Sequence, residues 1–242
     1  RWQVGQLCDE TTTLQPHDDL RLLAEFEPHS EWVLEPGDIL YVPPRVAHHG
    51  VAVGDDCMTY SVGFRGPSRG ELLAGWSENV LSELHDDDRY VDPGLRKQDN
   101  PGEIKGDAID RLQGMIAERL LDRESFARWF GEYATAPKNP EIDWSPDQPV
   151  DFAGVEALLA HGVTLLRNPA SRFAFTEDGT DAISLFVDGY RFSCDGNTAD
   201  FARQLCAQEE ITPDASLATV TDVVELLVEL LNEGSLAFGG ED

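Results

Sequence analysis

Residues Pro36–Gly50 read PGDILYVPPRVAHHG. A Pro-Gly turn followed by the mostly apolar run DILYVP predicts a strand that starts at a tight turn. Pro43 and Pro44 then stiffen the backbone, because each proline fixes its own φ and restricts the residue before it. Two of the six histidines, His48 and His49, come directly after. In a strand, successive side chains point to opposite faces. At most one of the two can therefore enter an enclosed interior, and the rigid turn would set its angle.

Working outward, residues 1–67 read as β. RWQV and WVL are short strand candidates, and VAV leads through Gly54-Asp55 into CMTYSVGF, a β-branched and aromatic run. Residues 68–136 read as helical. Ser68 is a candidate cap for a helix carrying Leu72, Leu73, Trp76, Val80, Leu81 and Leu84. Ile109, Leu112, Met115, Ile116 and Leu120 form a second apolar stripe, and ESFARWFGEYA a third, with Phe126, Trp129, Phe130 and Tyr133 on one side. Residues 137–150 are a proline-rich linker or strapped segment. Residues 151–242 alternate helices with FAFTE and AISLFVDGYRFSC, where Asp188-Gly189 marks a tight hairpin. Helices and a hairpin in so short a stretch suggest a winged-helix-like α+β domain.

The chain has 242 residues, 46 acidic against 18 basic, for a net charge of −28. From Asp151 onward, 17 acidic residues face 4 arginines. Nucleic-acid phosphate and anionic lipid repel such a surface, so direct DNA binding is excluded as a role for the winged-helix-like part. A basic protein partner suits it, although surplus acid is also a common route to solubility. No apolar run is long enough for a membrane span. Cys8, Cys57, Cys194 and Cys206 lie far apart with no C-x-x-C pair, which predicts reduced thiols in a cytoplasmic protein.

Cupin-type barrels bring two metal ligands from one strand as H-x-D or H-x-E, and a further His from a later strand entered through a G-x5-P turn. Gly37, five residues and Pro43 have that spacing, and His48 follows five residues later. Imidazole with carboxylate suits non-haem Fe(II). His49 then faces outward. Arg45 stands where the pattern usually has Gly, so a backbone needing positive φ there would be strained.

LEPGDILYVPPRVAHHG, followed by MTYSVGFRGP, resembles the bacterial JmjC-type ribosomal oxygenases, in particular the arginine hydroxylases of a large-subunit ribosomal protein. The order of parts is also similar: the C-terminal part of a JmjC/cupin double-stranded β-helix, a helical dimerisation region, then an acidic winged-helix-like domain. The resemblance implies an Fe(II)- and 2-oxoglutarate-dependent dioxygenase acting on a basic ribosomal protein, and a homodimer. It makes His48 the distal iron ligand. Arg1, near the start of the RWQV strand, is its candidate cation for the far carboxylate of 2-oxoglutarate, and Thr59 and Ser61 are candidate hydroxyl partners.

In the family the H-x-D pair precedes the strand that RWQV resembles. The pair is thus expected upstream of Arg1, in a parent protein of which this chain is an N-terminally truncated part, inactive alone. His17-Asp18-Asp19 and His85-Asp86-Asp87 match H-x-D but sit in a polar loop and at a helix end, and are read as decoys. The alternative reading is a non-catalytic cupin and winged-helix interaction scaffold. A small-molecule cupin enzyme would need neither the helices nor the winged helix.

Overall fold

The computed structural model describes residues 1–18, 20–63, 66–85, 87–91, 94 and 96–239. The chain forms two units, Arg1–Gly66 and Pro67–Asp242. The first is built on β1 (Trp2–Leu7), which lies between β2 (Pro28–Trp32) and β3 (Val46–Gly50) in an antiparallel sheet of order β2-β1-β3. RWQV thus supplies the central strand and VAHHG an edge strand. The turn into β3 is tight: the Cys8 amide donates to the Arg45 carbonyl at 2.7 Å, and Arg45 adopts φ 68°. That is the left-handed region expected of the glycine usual at this place. It costs a side-chain-bearing residue about 1–2 kcal/mol.

Among the described residues several expected strand stretches join no ladder, Val33 and Leu34 of WVL and residues 51–53 included. Asp38–Pro43 and the described part of CMTYSVGF, residues 57–63, also join none. Ile39, Tyr41, Met58, Tyr60 and Val62 are exposed. Apolar alternation can direct side chains to two faces. It does not provide the neighbouring strand that must take the backbone N–H and C=O groups.

The second unit begins with α1 (Arg69–Glu83). Its capping box is complete: Ser68 Oγ accepts from the Glu71 amide at 3.1 Å, and the Glu71 carboxylate accepts from the Ser68 amide at 2.7 Å. The helices α2 (Gly106–Leu120) and α3 (Arg123–Thr135) follow. Trp76 packs edge-on against Phe126 and donates from Nε1 to the Leu120 carbonyl at 3.0 Å, which ties α1 to both. Leu73, Leu81, Ile109, Leu112 and Ile116 of the expected stripes remain exposed.

A three-stranded meander follows: β5 (Phe173–Glu177), β6 (Ala182–Val187) and β7 (Tyr190–Asp195). Asp188 and Gly189, both at positive φ (50° and 89°), close the two-residue β6–β7 turn. The helix α3 lies on this sheet. Its Gly131 sits against the Phe186 ring so closely that any β-carbon would collide with it. The helices α4 (Phe152–Ala160), α5 (Gly196–Ala207) and α6 (Thr221–Asn232) bury Leu159, Leu205, Leu227 and Leu230 against the sheet residues Ile183 and Leu185. A second small sheet, β8-β4-β9, joins β4 (Leu165–Arg167), β8 (Glu210–Ile211) and β9 (Leu236–Phe238). The proline-rich stretch is strapped down: the Val150 amide donates to Asn232 Oδ1 at 2.8 Å, and Asn232 Nδ2 donates to the Val150 carbonyl at 3.0 Å. Among the described residues no helix is long and apolar enough to cross a membrane.

Candidate metal-binding site

The pairing of β1 with β3 decides which histidine is which. Trp2 lies opposite Gly50, Gln3 opposite His49, and Val4 opposite His48. Directly opposed residues share a face, and so do residues two apart along a strand. His48 therefore shares its face with Gly50, Trp2 and Val4. His49 shares the other with Gln3, Ala47 and Arg1.

The two faces differ in what covers them. On the His49 side the chain folds back over the sheet. The Phe26 ring stands edge-on to His49 at 6.0 Å, Gly5 meets Phe26 and the Glu27 carbonyl, and Ala47 is buried. Arg1 belongs here too, with its Nε 3.9 Å from Glu31. The register does not bring Arg1 to His48. One residue of offset along a strand reverses the face, so Arg1 and His48 lie on opposite sides of the sheet.

On the other side His48 is exposed. Its Nδ1 lies 3.1 Å from the Val46 carbonyl. A carbonyl only accepts, so Nδ1 carries the hydrogen, and in the neutral ring Nε2 then keeps its lone pair, the arrangement of a metal-ligating imidazole. The Trp2 indole packs on the ring with centroids 6.0 Å apart. The donor chemistry of His48 thus fits one position in a metal site. Among the described residues no group of three or more His, Cys, Asp or Glu is arranged to hold a metal ion.

Thr59 and Ser61 lie in the exposed stretch 57–63, where no ladder fixes their direction. The decoy pairs behave as local structure. His17 Nδ1 accepts from the Leu20 amide at 3.0 Å, which closes a turn. His85 follows the end of α1, and its carbonyl accepts from the Asp88 amide. Asp19 and Asp86, as well as Phe64 and Arg65 of the YSVGFR stretch, lie outside the described residues. The Cys194 and Cys206 thiols are pushed up to about 11, chiefly by burial, so both are neutral packing groups rather than thiolate ligands. Trp2 and Gly50 escaped the sequence reading. The signals were there, a tryptophan in the first strand and a glycine directly after the histidine pair, but only the register makes them neighbours of His48.

Both parts of the chain match known families. The JmjC domain family matches residues 1–72, and the ROXA-like winged helix matches residues 116–237. The chain belongs to the ROXA-like winged-helix family and carries a JmjC domain match ahead of that winged helix. It is 36% identical over 149 residues to the ribosomal protein uL16 3-hydroxylase of Escherichia coli, an alignment covering 62% of this chain and 39% of that protein. It is 34% identical over 135 residues to a probable ribosomal oxygenase of Haemophilus influenzae, covering 54% of this chain and 33% of that one. The X-ray structure of E. coli YcfD superposes with a TM-score of 0.82 at 28% identity, covering 98% of this chain and 62% of that chain. The ribosomal oxygenase YcfD in complex with cobalt and 2-oxoglutarate gives 0.81 at 27%, covering 99% and 62%. The chain spans less than two thirds of the length of these relatives.

Proposed function

We propose that the natural protein carrying this chain is an Fe(II)- and 2-oxoglutarate-dependent hydroxylase of an arginine in a large-subunit ribosomal protein. The observation that carries the reading is His48: it sits on the open face of β3, with Nδ1 engaged by the Val46 carbonyl and Nε2 available. The E. coli relatives support it, one named for hydroxylating uL16 and one solved with cobalt and 2-oxoglutarate.

In this reading His48 gives one metal ligand. Thr59 and Ser61 are the hydroxyls offered to the cosubstrate. Arg1, turned toward Glu31, serves the sheet instead. Iron with 2-oxoglutarate, when bound, supplies the oxidising chemistry for C–H hydroxylation. The chain holds the imidazole in one direction and presents a surface of net charge −28 to a basic substrate. Such a substrate places the enzyme in the cytoplasm, and the same charge argues against DNA as a partner. The exposed stripe of α2 is read as the homodimer contact.

The test is turnover. The natural protein, supplied with Fe(II), 2-oxoglutarate and the basic large-subunit ribosomal protein, is expected to convert 2-oxoglutarate to succinate in step with hydroxylation of the substrate. Turnover of 2-oxoglutarate that ignores the ribosomal protein, or none with iron present, contradicts the assignment.

A further inference from the structure

An exposed histidine on an edge strand has several staggered rotamers open to it, and a half-turn about its outer torsion exchanges Nδ1 for a carbon. Yet a metal ligand must present one nitrogen in one direction, with the other held by a hydrogen bond. The Val46 carbonyl supplies that bond from two residues back on the same strand. That bond favours the ring orientation the structure shows, and a packed neighbour can favour it further.

Trp2 is placed to do so. The β1–β3 register sets Trp2 diagonal to His48 on one face, with Gly50 directly opposite Trp2. The rings of Trp2 and His48 are tilted by 33° at 6.0 Å, within the range of packed aromatic pairs. Gly50 is the seat for the indole. A β-carbon there would lie 3.0 Å from both Cη2 and Cζ2 of Trp2, closer than ordinary contact, so a side chain at position 50 would force the ring to give by a few tenths of an ångström. The bare glycine leaves room for the indole that packs on the imidazole.

We propose that Trp2 is a positioning residue for His48: seated over Gly50, its indole holds the imidazole in the rotamer whose Nδ1 donates to Val46, which leaves the Nε2 lone pair for a metal. The proposal rests on the reading of His48 as a metal ligand, and its test needs neither metal nor substrate.

Histidine tautomers are read directly by long-range proton–nitrogen NMR of the nitrogen-15-labelled chain, at a pH where imidazole is neutral. His48 in the wild-type chain is expected as the Nδ1–H tautomer. Trp2→Phe keeps a ring at the site and should retain it. Trp2→Leu removes the ring from a strand that tolerates leucine and should cut the Nδ1–H population by at least half. Gly50→Ala, which makes the indole shift by a few tenths of an ångström, should lower the same population with every interacting side chain still present. Amide cross-peaks of β1 and β3 report whether the sheet persists, and if the leucine variant loses it, Gly50→Ala decides. An Nε2–H tautomer in the wild-type chain would overturn the proposal. So would an unchanged tautomer in a folded Trp2→Leu or Gly50→Ala chain. A hydroxylase that fails to turn over leaves this result standing, and a failure here leaves the hydroxylase reading standing.

Discussion

Arg45 shows how one residue can be read from both sequence and structure. The turn pattern calls for glycine, and the backbone indeed takes a positive φ of 68°. The strain sits three residues before His48, in the turn whose carbonyl takes the Cys8 amide. Arg45→Gly should relieve about 1–2 kcal/mol of left-handed strain and lose about 0.5–1 kcal/mol to the freedom glycine gains on unfolding. A net stabilisation of up to about 1.5 kcal/mol is the expected outcome, read as a higher urea midpoint with an unchanged slope. A lower midpoint would show that the arginine side chain contributes more than its backbone costs. That a strand carrying His48 follows the turn was legible, because the G-x5-P spacing and the flanking apolar residues mark it. The face taken by Arg1 was not: its distance from His48 in sequence carries no register, and its face follows from which residue of β1 opposes which residue of β3.

At the scale of elements, capping and turn chemistry were the most legible features. Ser68 caps α1, Asp188-Gly189 turns the hairpin, and Trp76 and Val80 are buried as the helical spacing requires. These are local decisions, settled by a few neighbouring residues. The strands DILYVP and CMTYSVGF were misread for the opposite reason. Whether an apolar run becomes a strand depends on a partner elsewhere, and β-preference is mostly fit to such surroundings. The helix α2 poses the same question in helical form. Its Ile109, Leu112 and Ile116 are apolar, regularly spaced and exposed. If this stripe is the homodimer contact, Leu112→Asp with Ile116→Asp should turn a dimer into a monomer in sedimentation experiments at micromolar concentration while the helix content by circular dichroism stays the same. A wild-type monomer, or a dimer indifferent to both aspartates, would refute it.

Across the whole molecule, the two units are marked by different kinds of evidence. The winged-helix unit has the residues of its own core: Val155, Leu159, Ile183, Leu185, Leu205, Leu227 and Leu230 all lie within a single cluster. Its composition and spacing therefore announce it. In the JmjC unit the described residues put one imidazole on an open face, and the full chemistry of the site is not spelled out by spacing within 66 residues. Family resemblance supplied what spacing did not, namely iron, 2-oxoglutarate and a ribosomal protein. The net charge of −28 fits that assignment, since an acidic surface speeds encounter with a basic partner. The central claim is that His48 belongs to a centre that oxidises an arginine of a ribosomal protein, and the most direct test is mass spectrometry of that substrate. Large-subunit proteins isolated from cells carrying the wild-type gene should include one with a single added oxygen on an arginine, and the same peptide from His48→Ala cells should lack it. An identical modification in both strains, or none in either, would contradict the account.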